Sequence, residues 1–129
     1  MSRSNEAVVR KFLALWATRD IQAMVDCFAE DCVYDNVPDK KPMVGRAVLR
    51  QWLEAVHQHI TNIEVEILHM ASDGDWVLCE RIDDHIHGDH HMPLPVMGAI
   101  RVVDGRIKVL RDYYCRQTVK ELFGMVTTG

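Results

Sequence analysis

Apolar residues in the first part of the chain recur at helical spacing. Val8, Val9, Phe12, Leu13, Leu15 and Trp16 form one stripe of a first helix, with Ser4 placed to cap it. After Thr18-Arg19-Asp20, the set Ile21, Met24, Val25 and Phe28 marks a short second helix. Cys32-Val33-Tyr34-Asp35-Asn36-Val37 reads as a short strand that Pro38 ends, and residues 39–42 read as a loop. Gly45 precedes a third helix running to about His59, whose stripe is Leu49, Trp52, Leu53, Val56 and Ile60.

The period then changes to two. Residues 63–70 alternate as a strand, Asp73-Gly74 is a turn, and residues 76–87 form a long strand. Gly88-Asp89-His90-His91-Met92-Pro93 is expected to be a loop. Residues 96–103 and 106–115 then pair as a hairpin around Asp104-Gly105. Thr118-Val119-Lys120-Glu121 has the form of a capping box opening a last short helix through Met125. Helices followed by a meander predict an α+β fold. The expected shape is a cone, with a curved antiparallel or mixed sheet wrapped around the N-terminal helices and a single pocket. No repeat or linker divides the chain, so residues 1–129 are expected to form a single domain.

Composition narrows the possibilities. With 48% hydrophobic and 26% charged residues the chain resembles ordinary globular proteins. A net charge of −4 argues against a nucleic-acid partner, which selects a basic face. No apolar run reaches the ~18–20 residues of a membrane span, and Met1-Ser2-Arg3-Ser4-Asn5-Glu6 lacks the apolar stretch of a secretory signal. Cys27, Cys32, Cys79 and Cys115 show no paired spacing and sit within apolar patterns, so they are expected to be reduced and buried. A cytoplasmic protein is the expectation.

The candidate chemistry lies on the strands. Residues i and i+2 share a sheet face, which pairs Tyr34 with Asn36, Arg81 with Asp83, and Asp112 with Leu110 and Tyr114. If they point inward these charges must be paired, and one Arg between two Asp satisfies that requirement. Alternate charges also suit a solvent-facing strand or a structural ion pair. Periodicity alone does not choose, because the other face of the long strand carries Trp76, Leu78, Ile82 and Ile86 and is expected to be buried too.

These residues resemble the limonene-1,2-epoxide hydrolase family, within the nuclear-transport-factor-2-like (SnoaL-like) fold group. Tyr34-x-Asn36, Arg81-x-Asp83 and Asp112 within Arg111-Asp112-Tyr113-Tyr114 occur in that family's order and approximate spacing. Val33-Tyr34-Asp35-Asn36-Val37-Pro38, Gly45-Arg46 and Asp104-Gly105-Arg106-Ile107 extend the likeness along nearly the whole chain. The resemblance implies one-step hydrolysis of an epoxide by water, without a covalent intermediate, cofactor or metal. In that reading Asp112 is the general base on a water held also by Tyr34 and Asn36. Asp83 is the general acid, and Arg81 bridges the two. A homodimer is also implied.

Leu13, Trp16, Leu53, Val56, Tyr114, Val119 and Phe123 are candidate substrate contacts by position, although apolar helical stripes mostly serve packing. His85 shares the strand face of Asp83 and joins them; with Tyr114 it points to a substrate more polar than a terpene. Three other readings compete. The histidines 85, 87, 90 and 91 with Asp83 could bind a metal. A ketosteroid-isomerase-like or SnoaL-like isomerase or cyclase would use an Asp in the same cone. A non-catalytic small-molecule-binding dimer would use none of these residues for turnover.

Overall fold

The computed structural model describes residues 2–127, with side-chain surroundings from residue 3 to 124. In chain order the elements are α1 (Ser2–Leu15), α2 (Ile21–Asp26), β1 (Phe28–Asn36), β2 (Met43–Val44), α3 (Arg46–His59), β3 (Asn62–Asp73), β4 (Trp76–His87), β5 (His90–Val103), β6 (Arg106–Tyr113) and α4 (Arg116–Thr127). The six strands form one curved, unclosed sheet in the order β2-β1-β6-β5-β4-β3. It is a mixed sheet, because β1 runs parallel to β6 while every other pair is antiparallel.

The core lies between the helices and the concave face. Val9, Phe12, Met24, Leu49 and Leu53 meet Phe28, Val77, Cys79, Ile100, Ile107 and Leu110, all fully buried. An aromatic cluster closes one side: Phe12 meets Phe28 edge-on at 4.9 Å between ring centroids, and Tyr34 lies 4.9 Å from Trp52. Such pairs add about 0.5–1.5 kcal/mol each beyond burial, and here they hold the Tyr34 ring in place. Asp20 caps α2 by accepting from the Ala23 N–H at 3.0 Å. Arg19 donates to the His57, Ile60 and Thr61 carbonyls, so its charge satisfies the open carbonyl end of α3.

Several boundaries differ from expectation. α1 already starts at Ser2, so Ser4 lies within its first turn instead of capping it. β1 begins at Phe28, four residues early, because Phe28 pairs with Ile107 across a bulge. That partner is nearly eighty residues away and leaves no local signal. The expected loop at residues 88–93 is a tight turn at Gly88-Asp89, with β5 starting at His90. Pro93 and Pro95 fit this strand because β6 pairs with β5 only from Met97 onward. Their missing N–H groups therefore fall at an edge. α4 starts at Arg116, so Thr118 is inside its first turn. Cys27, Cys32 and Cys79 are buried, but Cys115 is exposed because it stands at the junction before α4. The outer face of β4 is not closed: Leu78 is 38% exposed, and Met97 and Tyr113 beside it are 42% and 47% exposed. No helix among the described residues is long and apolar enough to cross a membrane.

Candidate active site

Odd-numbered residues of β4 face the concave side, which turns Val77, Cys79 and Arg81 into the interior and Asp83 and His85 toward one cavity. Even-numbered residues of β6 do the same with Leu110 and Asp112. Tyr34 and Asn36 come from β1, where the parallel register sets Asn36 directly beside Asp112. Residues far apart in the chain thus meet on one wall because three strands share a face.

Arg81 is the center of the group. Its Nε and Nη2 donate to Asp83 Oδ1 and Oδ2 at 2.8 and 3.0 Å. Its Nη1 and Nη2 donate to Asp112 Oδ1 and Oδ2 at 3.0 and 2.6 Å. Four of the five guanidinium N–H bonds are used, and each carboxylate oxygen keeps a lone pair for another donor. To reach β6 the side chain passes over β5, where strands lie ~4.8 Å apart. The residue beneath it is Gly98, paired with Cys79 on one side and Asp112 on the other. A Cβ at residue 98 would lie 2.6 Å from Arg81 Nη1 and 3.2 Å from Asp112 Oδ1.

Burial governs the electrostatics. Arg81 is 2% exposed, yet the two carboxylates outweigh desolvation and keep its guanidinium firmly charged. Burial pushes the Asp112 carboxyl above its ordinary pKa; Arg81 opposes this without cancelling it, and the Asp83 charge adds to the rise. Burial also pushes the Tyr34 phenol well up, followed by the charge of Asp112, with Arg81 and Asp83 also acting on it. His85 is held below its usual value by burial. Its Nδ1–H donates to the main-chain carbonyl of Asp83 at 2.9 Å, and its ring packs against Phe123 at 5.1 Å.

Tyr34, Asn36, Asp83 and Asp112 line a cavity of about 520 Å³, within the 300–1,000 Å³ typical of small-molecule sites. Arg81 stands behind the wall. Of the expected substrate contacts, Trp16, Val56, His85, Tyr114, Val119 and Phe123 line the cavity. Leu13 and Leu53 do not: both are core residues, because their helix faces pack inward below the cavity. A second hollow of about 510 Å³, lined by Glu30, Arg46, Asp104, Arg106 and Lys108 among others, holds none of the candidate residues.

The histidines of the 85–91 segment diverge. His85 faces the cavity, His87 Nδ1 meets the His59 carbonyl at 3.1 Å, and His91 pairs with Asp84 at 2.7 Å on the outer face. Among the described residues no three His, Cys, Asp or Glu side chains group as metal ligands. Sequence reasoning missed Gly98, which no pattern in β5 marks. It also missed Arg116 and Lys120 on the cavity wall, although their spacing with Val119 and Phe123 on α4 could have suggested them.

Comparison with known proteins places this chain among relatives. A model of the limonene-1,2-epoxide hydrolase catalytic domain matches residues 3–123. The chain is 33% identical over 109 residues to epoxide hydrolase EphG of Mycobacterium tuberculosis, a match spanning 82% of this chain and 70% of that one. A solved LEH-like epoxide hydrolase from M. tuberculosis has a TM-score of 0.83 at 27% identity, covering 98% of both chains. A Shewanella putrefaciens structure named as a SnoaL-like polyketide cyclase reaches the same TM-score at 15% identity, over 94% of this chain and 86% of that one. At that identity the likeness is one of fold.

Proposed function

The chain belongs to the limonene-1,2-epoxide hydrolase family, and from that premise we propose that it adds water to an epoxide in one step, giving a vicinal diol without covalent intermediate or cofactor. The observation that carries this reading is one guanidinium joining two carboxylates on the wall of an apolar cavity. With both aspartates ionised the trio would hold a net negative charge in a buried place. One proton shared between the two carboxyls makes it neutral, which burial favours. The site thus supplies one acid and one base together.

The register supports a division of labour. Asn36 lies beside Asp112, and the Tyr34 phenol is within electrostatic reach of it, so the water is held at Asp112. Asp112 takes a proton from that water as its oxygen attacks one epoxide carbon. The C–O bond to the ring oxygen breaks, and Asp83 gives its proton to that oxygen. Asp112 leaves the reaction protonated and Asp83 ionised, and exchange with solvent restores the starting state. Neither hydroxide nor a bare alkoxide has to form, and each positioned acid or base contributes roughly 10²–10⁴-fold. The apolar wall excludes other water.

In this reading residues 1–129 are one catalytic domain of a cytoplasmic homodimer. The buried unpaired thiols support a reducing compartment, and the half-open outer face around Leu78, Met97 and Tyr113 supports a second copy. The test is turnover of several epoxides in ¹⁸O-labelled water, beside Asp112→Asn and Asp83→Asn. Labelled diol from the first turnover, lost in both variants, is the expected result. A folded protein giving no diol from any epoxide would shift the reading to an isomerase, a cyclase or a binder.

A further inference from the structure

The cavity changes character from floor to mouth. Its floor holds Asp83 and Asp112, with Arg81 behind them. Its exposed lining residues include Arg116 and Lys120, one turn apart on α4. Besides Asp83 and Asp112, the carboxylate among the described lining residues is Asp39, whose Oδ2 accepts from the Tyr114 hydroxyl at 3.2 Å. Arg116 donates a single long bond of 3.4 Å to the Pro38 carbonyl. Lys120 makes no hydrogen bond or ion pair among the described residues. Between the two ends the wall is apolar, with Trp52, Val56, Val119 and Phe123.

A neutral terpene epoxide would use neither cation. We propose that the epoxide accepted here carries a carboxylate at its far end, held at the mouth by Lys120 and Arg116 while the ring reaches the two aspartates. This inference rests on the epoxide-hydrolase reading of the same cavity. The two cations against Asp39 leave one net positive charge, which matches a monoanion. The floor, neutral when one proton is shared between its carboxyls, offers an anion no counter-charge, so the charged end is favoured only at the mouth. The apolar middle section holds the intervening hydrocarbon, and α4 presents the N-terminal end of its dipole beside Arg116, which adds to the attraction.

The test pairs an epoxide bearing a remote carboxylate with its methyl ester, using the full chain. At low salt the acid is expected to exceed the ester in kcat/KM by about three- to tenfold, mainly through KM, since exposed ion pairs are individually weak. Lys120→Gln and Arg116→Gln should each move that ratio toward one, and added salt should do the same. Binding of the corresponding saturated acid and ester, followed by tryptophan fluorescence, supplies a readout without turnover. Diol from both substrates with no preference, and equal binding of the saturated pair, would overturn the carboxylate subsite and leave the hydrolase reading standing. Preferential binding of the saturated acid with no diol from either epoxide would support the subsite and overturn the hydrolase reading.

Discussion

Arg81 fills the space that a side chain at residue 98 would need: its guanidinium crosses β5 over Gly98, and a Cβ there would stand 2.6 Å from Nη1. The contact is with a flexible side-chain end, but that end is pinned by four hydrogen bonds. Gly98→Ala is therefore expected to push Arg81 away from Asp112. The strain should cost about 1–3 kcal/mol in stability, and misplacement of the pair should lower kcat by roughly 10²-fold. Urea unfolding and epoxide turnover measure the two. Wild-type turnover in this variant would mean that the Arg81 bridge is not needed.

Arg81→Gln removes the cation and leaves two largely buried carboxyls without their shared partner. A loss of about 3–5 kcal/mol is expected near neutral pH, as when one partner of a buried ion pair is removed. The deficit should shrink as the pH falls, because protonation discharges the aspartates that lost their partner. Denaturation midpoints from about pH 3 to about pH 8, a range that spans the ordinary carboxyl value of ~3.9, would show it. A pH-independent deficit would contradict the pairing.

Asp112 titrates above an unfolded aspartate because burial dominates its surroundings. The folded protein then binds the proton more tightly than the unfolded chain. Stability that is present below the unfolded value is lost as pH rises through the folded one. Asp112→Asn cannot lose that proton, so its stability relative to the parent should improve as pH increases over this window. Turnover should fall by about 10²–10⁴-fold, the worth of a general base. Chemical denaturation of both proteins against pH tests the sign, which a lowered Asp112 pKa would reverse.

Tyr34→Phe keeps the ring that Trp52, Phe12 and Phe28 pack against. Stability within about 1 kcal/mol of the parent is expected, since only the hydroxyl is lost. If that hydroxyl helps hold the attacking water, kcat should drop by at least about tenfold with little change in KM. A variant with unaltered kcat would remove Tyr34 from the water site.

The helices of the first half, the long strand β4 and the α+β class were readable because their periods are local properties of the chain. The same period set Arg81 with Asp83 on one face and Tyr34 with Asn36 on another. What stayed hidden involved partners distant in sequence. The start of β1 depends on Ile107, and the strand character of residues 90–95 depends on an edge that tolerates Pro93 and Pro95.

By itself, then, the sequence determined which residues alternate, which chemical groups were available, and the family they resemble. The tertiary structure decided which faces point inward, and so made two separate polar pairs and Asp112 into one site. It separated Leu13 and Leu53 from the cavity wall, opened the outer face of β4, and brought Arg116 and Lys120 to the mouth. The physical reason is that alternation specifies two faces without saying which is covered. The antiparallel register of β4, β5 and β6 and the gap at Gly98 let one arginine reach both aspartates, while the parallel pairing of β1 with β6 brings Asn36 beside Asp112.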